Sequence, residues 1–364
     1  MENIRALVID DTIVYRKIVG DVLKEIPGVE VIGTANNGKI ALSKIASLKP
    51  DLITLDIEMP EVNGIEVLMA LKNQPQAPVV IMLSTLTQLG SEMTIKALEL
   101  GAFDFVPKPS EGKMAENMQK VRDAIFPIIT ALKRQKETKL KIREKVKARS
   151  FTAKDIEHKP PSQVIQKSGI RSKSEIIGIG ISTGGPNALT KMIPMLPADL
   201  KAPILIVQHM PPMFTASLAN SLNNKTKLEV KEAENGDIII PGRILIAPGG
   251  KQMKIVAGAD GITRKIRITD DPPENSCKPS VDYLFRSIAQ HYVGRSTGVI
   301  MTGMGSDGSK GLVQMKNSGS IVIAQNEETC TVYGMPKEPV ESGIADIVVP
   351  LEKIAEEIAK TVIS

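Results

Sequence analysis

In this chain of 364 residues, the stretch with the clearest chemical capacity is Ser174-Glu-Ile-Ile-Gly178-Ile-Gly180-Ile-Ser182-Thr-Gly184-Gly185-Pro186. An apolar run ends at a serine flanked by glycines at i−2 and i+2, and Pro186 suits the first turn of a helix. That spacing is a Gly-x-Ser-x-Gly elbow, where glycines permit a strained strand-to-helix turn and leave the hydroxyl exposed. A helix N-cap serine and a phosphate-cradling turn are equally open readings of these residues alone. A serine nucleophile needs a base. Of the three histidines, His158 lies in a polar tract and His291 near the end of a polar helical stretch, whereas His209 comes one residue after the apolar run Ala202–Val207. A third apolar run, Thr297–Met301, leads into Thr302-Gly-Met304-Gly-Ser-Asp307-Gly308. Ser182, His209 and Asp307 therefore each follow a buried-strand pattern, where they could meet above one sheet edge. A hydroxyl, an imidazole to take its proton and a carboxylate to hold the imidazole point to acyl transfer to water. The glycines around Met304 leave its N–H available for an oxyanion.

A second constellation lies in the N-terminal third. Asp10-Asp11 follow Ala6–Ile9, Asp56 follows Asp51–Leu55, Ser84 follows Val79–Leu83, and Lys108 follows Phe103–Val106. Three carboxylates gathered at one edge repel one another, and a hard divalent cation such as Mg²⁺ relieves that repulsion. The same cation can bridge a phosphoryl donor to a carboxylate nucleophile, while Lys108 and the Ser84 hydroxyl meet phosphoryl oxygens.

These groups require a particular scaffold. Five strands alternating with helical stretches over about 125 residues predict a doubly wound parallel sheet, in which functional groups gather beyond the carboxyl ends of the strands. From Ser174 onward, strands and helices alternate again, with shorter strands over 228–268 that predict an antiparallel hairpin beside a mostly parallel sheet. The expected fold class is thus α/β: an N-terminal five-stranded parallel, flavodoxin-like domain over 1–126, a linker over 127–173, and a C-terminal doubly wound domain over 174–364. The linker expectation rests on Lys133–Arg149, a basic, partly helical run, and on the Pro- and Ser-containing tract after it. That run lacks aromatic interleaving, so the net charge of +5 is weak evidence for a nucleic-acid partner. Two cysteines suggest no disulfide framework and suit a reducing cytoplasm. No basic-then-apolar leader opens the chain, and no apolar run approaches the roughly 18 residues needed to span a bilayer.

Residues 2–125 resemble the response-regulator receiver family, on Asp10-Asp11, Thr54-Leu-Asp56-Ile-Glu58-Met-Pro60, Ser84 and Lys108-Pro109. The resemblance implies Mg²⁺ held by Asp10, Asp11, Asp56 and the Glu58 carbonyl, phosphorylation at Asp56, a switch hydroxyl at Ser84 and a coupled aromatic at Phe105. The second domain resembles the CheB family of chemotaxis protein-glutamate methylesterases. It does so on Gly180-Ile-Ser-Thr-Gly-Gly-Pro186, Gln208-His-Met-Pro211, Ala247-Pro-Gly-Gly250, Pro279-Ser-Val-Asp282, Thr302–Gly308 and Cys330-Thr-Val-Tyr-Gly-Met-Pro336. This implies Ser182 as nucleophile, His209 as base and Asp307 as its orienter, with Thr183 and the amides of His209 and Met304 lining the site. It further implies methyl-accepting chemotaxis receptors as substrate, a histidine kinase as phosphodonor, and relief of a receiver-imposed block on phosphorylation. Some members also deamidate receptor glutamines. No cofactor is expected for the ester reaction, and a cytoplasmic monomer without nucleic-acid partner or membrane insertion is expected.

Two other output classes are weaker. A nucleotide site at Gly178-x-Gly180-x-x-x-Gly184 has Thr183 where the dinucleotide fingerprint needs glycine, and the next strand ends in Gln208-His209 rather than an acidic residue. A DNA-binding output would need a basic recognition helix, and none is evident in so strand-rich a segment.

Overall fold

The computed structural model describes residues 3–149 and 173–363, apart from 73, 75, 110 and 111. The tract expected as the polar part of the linker, 150–172, lies outside the described residues. The N-terminal domain runs β1 (Ile4–Ile9), α1 (Ile13–Lys24), β2 (Val29–Ala35), α2 (Gly38–Leu48), β3 (Leu52–Asp56), α3 (Gly64–Leu71), β4 (Val79–Thr85), α4 (Gln88–Glu99), β5 (Asp104–Lys108) and α5 (Met114–Arg149). Its sheet is parallel, in the order β2-β1-β3-β4-β5. Apolar residues cover both sheet faces, which is why β1 reads as a continuous apolar run from Ala6 to Ile9 and β3 is buried along its whole length. α2, α3 and α4 start at side-chain caps from Asn37, Asn63 and Thr87, and at α3 a capping box has Asn63 and Glu66 each bonding the other's backbone. α5 continues through Pro127, and Ile128, Ile129 and Leu132 are buried with Ile18, Val19 and Val22 of α1. The receiver's packing therefore extends beyond 126: a proline's missing N–H costs one helical bond, and burial of the apolar face outweighs it.

The C-terminal domain runs β6 (Ile176–Ile181), α6 (Gly185–Met192), β7 (Ile204–Gln208), α7 (Phe214–Asn223), β8 (Glu229–Glu232), β9 (Arg243–Ile246), β10 (Gln252–Ala257), β11 (Arg264–Thr269), α8 (Val281–His291), β12 (Ser296–Ile300), α9 (Ser309–Asn317), β13 (Ile321–Gln325), α10 (Lys337–Glu341), β14 (Ile347–Val349) and α11 (Leu351–Ile363). Seven strands form a parallel sheet in the order β14-β13-β12-β6-β7-β9-β8. Only β10 and β11 are antiparallel, so the excursion expected over 228–268 is confined to the later part of that segment, because β8 and β9 pair parallel within the main sheet. β6 sits centrally and is buried along its length. A Cβ at Gly178 would meet Ile288 and Phe285 of α8, and one at Gly180 would meet Val281, so these glycines let α8 lie close on the sheet.

The two domains share one apolar core cluster and a polar seam. Phe105 of β5 stacks on Phe214 of α7 with centroids 4.5 Å apart. The Ser91 and Ser217 hydroxyls are hydrogen-bonded at 2.7 Å, both buried, and Glu99 of α4 accepts from Ser221 and pairs with Lys225, just past α7.

Candidate active site and receiver centre

The sheet order accounts for the convergence of the C-terminal residues. β12, β6 and β7 are neighbours, and their paired registers bring Ile300 beside Gly180 and Ile181 beside Gln208. Asp307, Ser182 and His209 follow those three adjacent strand ends. The turn after Ser182 is closed by Gly185 N–H donating to the Ser182 carbonyl at 2.7 Å, with Gly184 at φ 75° as the N-cap of α6. Gln208 Nε2 also donates to that carbonyl, at 3.0 Å, and fixes the elbow from the neighbouring strand. The Ser182 side chain is half-buried, and its hydroxyl makes no hydrogen bond among the described residues.

His209 Nε2 lies 2.8 Å from Asp307 Oδ2. Asp307 is set at the N-terminus of α8, where its carboxylate accepts from the N–H groups of Val281 (2.7 Å) and Asp282 (3.2 Å) and from the Ser280 hydroxyl (2.9 Å). Asn275 Nδ2 adds a fourth donor at 2.9 Å. Burial raises the Asp307 pKa, but the His209 hydrogen bond and charge and these donors more than offset it, bringing the carboxyl down to about 2. Asp307 is therefore an anion that accepts the Nε2 proton, leaving Nδ1 as the nitrogen with a lone pair. For His209, burial disfavours the charged ring, yet its hydrogen bonds to Asp307 and Cys277 prevail and the pKa rises.

Of the two amides expected to line the site, that of Met304 donates no hydrogen bond among the described residues; the amide of Thr183, a residue expected there, is likewise uncommitted among them. The His209 amide differs from expectation: it donates to the Ile181 carbonyl at 3.2 Å, because the strand pairing continues one residue past β7. Thr183 also reaches the other domain, where it favours the ionised Asp104 carboxylate, but burial prevails and pushes the Asp104 pKa up to about 6. The receiver loop at Gly101–Phe103 lines a common cavity with Gly184, Asn187 and Thr331, against the flank of the serine elbow.

Sequence reasoning left out Asn275, Ser280, Gln208 and Cys277 as site-building groups. Ser280 had a signal, as a cap residue opening the α8 pattern; Asn275 and Cys277 lie in an irregular loop with no period to read.

In the receiver, Lys108 Nζ bridges Asp10 Oδ2 and Asp56 Oδ2, at 2.7 Å each. Carboxylate oxygens of Asp10, Asp11 and Asp56 lie within 4.8 Å of one another, an all-oxygen donor set suited to a hard divalent cation. Burial pushes the Asp56 pKa up to about 7; Lys108 opposes this and Asp10 and Asp11 reinforce it, so added positive charge would stabilise the ionised form. Glu58 is exposed beside the cluster. The Ser84 hydroxyl points instead towards α4, donating to the Gly90 carbonyl at 3.1 Å and accepting from Thr94 at 2.7 Å. Phe105 is buried against Phe214.

Together the two centres define a receiver joined to an α/β esterase domain. Family comparison agrees: residues 6–122 match the response regulator receiver domain and residues 177–358 match the CheB methylesterase. A relative from Desulfotalea psychrophila named protein-glutamate methylesterase/protein-glutamine glutaminase is 56% identical, over 100% of this chain and 99% of that protein. The Bacillus subtilis relative of the same name is 42% identical, over 99% of this chain and 98% of its own. The crystal structure of the Thermotoga maritima CheB methylesterase catalytic domain is matched at TM-score 0.50 and 42% identity, covering 52% of this chain and 99% of that one. The chain belongs to the CheB methylesterase family, and it is a receiver-regulated esterase.

Proposed function

We propose that this enzyme hydrolyses glutamyl methyl esters on methyl-accepting chemotaxis receptors, with Ser182 as nucleophile. The observation that carries this reading is the His209–Asp307 pair, held by α8 on the strand end beside a serine elbow with an uncommitted hydroxyl. Neutral His209 takes the Ser182 proton at Nδ1 as Oγ attacks the ester carbonyl. Asp307 holds the ring's tautomer through Nε2 and stabilises the imidazolium. The uncommitted amides of Thr183 and Met304 meet the oxyanion, whose charge develops only as the carbonyl is attacked. The imidazolium returns its proton to the leaving methoxide, and methanol departs. Water then attacks the acyl-serine by the same route and yields the glutamate carboxylate. A glutamine side chain offers the same carbonyl with ammonia as leaving group, so receptor deamidation is open to the same groups.

The receiver governs access. Asp56 accepts a phosphoryl group from a chemotaxis histidine kinase, with Lys108 on a phosphoryl oxygen. Asp10, Asp11, Asp56 and the Glu58 carbonyl would hold Mg²⁺, which would supply charge neutralisation for that transfer. Ser84 leaves α4 for the phosphoryl group, and the loosened α4–β5 face releases Phe105 from Phe214 and Asp104 from Thr183. The enzyme works in the cytoplasm as a monomer, without a nucleic-acid partner. Ser182→Ala tests the assignment: methanol release from methylated receptor should fall by orders of magnitude with the fold unchanged, and retained turnover would overturn it.

A further inference from the structure

We propose that His209 and Cys277 form a binding site for a soft divalent cation of the Zn²⁺ class, which reversibly shuts the esterase. Cys277 Sγ lies 3.8 Å from His209 Nδ1, the ring nitrogen that Asp307 leaves without a proton. Zinc bonds of about 2.0–2.1 Å to nitrogen and about 2.3 Å to sulfur, at a tetrahedral angle, set those two atoms roughly 3.5–3.6 Å apart. The observed separation needs that angle to open only to about 120°, so a cation can enter without a shift of the backbone.

The outer shell is already built. A metal-bound histidine ordinarily gives its other ring N–H to a carboxylate, which fixes its orientation, and Asp307 fills that position at 2.8 Å. Ligating atoms of His209, Cys277 and Asp307 lie within 4.8 Å of one another. The Asp307 carboxylate faces the far ring nitrogen and is saturated by α8, so it serves as the orienter rather than as a ligand. Cys277 and His209 are both half-buried, which leaves the remaining coordination positions to water or the Ser182 hydroxyl.

A thiolate with an imidazole selects Zn²⁺ or Cd²⁺ over Mg²⁺ and Ca²⁺. The receiver's Asp10, Asp11 and Asp56 cluster has the opposite preference, so one chain carries two cation sites sorted by softness. Binding replaces the thiol proton with a sulfur–metal bond and, where the ring is charged, also displaces the Nδ1 proton; both protons go to solvent, so zinc binding tightens as pH rises. It also occupies the lone pair that would take the Ser182 proton. The inhibitory consequence rests on His209 being the base; the binding itself does not.

The full-length protein is titrated with Co²⁺ as a spectroscopic probe, and ester hydrolysis is followed over a Zn²⁺ titration with and without EDTA. The wild type should show a thiolate-to-cobalt charge-transfer band, which cobalt in the all-oxygen receiver cluster cannot give. Zinc should inhibit it, and EDTA should restore activity. Cys277→Ser and Cys277→Ala should lose the band, and zinc sensitivity, each normalised to its own metal-free rate, should fall by more than the roughly 10- to 100-fold that loss of an outer-shell partner costs. Cys330→Ala should keep the band. A wild type without the band, or a band and zinc sensitivity that survive in both Cys277 variants, would overturn the site. A band that appears without inhibition supports the site and overturns His209 as the base.

Discussion

The imidazole at the centre of the site titrates under two opposing influences, and their balance is measurable. Burial favours the neutral ring, while the Asp307 anion, kept ionised by α8, favours the charged one and prevails. Only the neutral ring accepts the serine proton, so ester hydrolysis should rise with pH along an acid limb whose midpoint lies above the ordinary histidine value of roughly 6.5. Asp307→Asn removes the anion and leaves burial in control. The same limb should move to lower pH while the rate falls about a thousand-fold or more. A pH–rate profile of both proteins checks the sign, and a limb that stays put would separate the ring's charge from Asp307. Ser182, His209 and Asp307 were legible because each lies on the loop that follows an apolar run. Asn275 and Cys277 were not: they sit at and just past two consecutive residues of positive φ, Asn275 and Ser276, in a loop whose path only the tertiary fold determines.

At the scale of elements, α8 does two tasks. It covers the sheet over Gly178 and Gly180, and its first turn supplies the donors that hold Asp307. Gly180→Ala would place a Cβ 2.4 Å from Val281 Cγ1, at the first residue of that turn. The crowding should cost about 1–3 kcal/mol in denaturant unfolding and lower kcat as well, because the pushed turn carries Asp307 with it. A surface-like effect on both measurements would show that α8 tolerates displacement. The strand–helix alternation could be read in advance, since parallel strands buried on both faces are continuously apolar. The course of β8, Glu229-Val-Lys-Glu232, could not: a short charged strand at the sheet edge carries no such run. α5 ran on for the complementary reason, because Pro127 reads as a stop while the apolar face after it is buried.

For the whole molecule, the receiver rests on the esterase through α4 and β5, the same elements that hold Ser84 and Phe105. That contact was hidden in the sequence because its seam is made of serines, Glu99 and Lys225, which read as solvent-facing groups. Removing the stacked ring with Phe105→Ala should raise unphosphorylated activity roughly 2- to 10-fold, the scale of an aromatic pair worth about 0.5–1.5 kcal/mol. Asp104→Asn should act in the other direction at neutral pH. The docked carboxyl titrates near 6, raised by burial, so its ionised form weakens docking above that pH, and a neutral isostere removes the penalty. Basal activity measured without phosphodonor should therefore drop in that variant; an increase would mean that the ionised carboxylate's contact with Thr183 outweighs its burial cost and holds the closed state.

The most direct test of a phosphorylation-gated serine esterase is methanol release from methylated receptor, measured with and without a small phosphodonor and Mg²⁺. The wild type should release methanol slowly at rest and faster with phosphodonor. Asp56→Asn should keep the slow rate without the increase, and Ser182→Ala should release essentially none in either condition. Phosphodonor-dependent release that persists in Ser182→Ala, or activation that survives Asp56→Asn, would contradict the account.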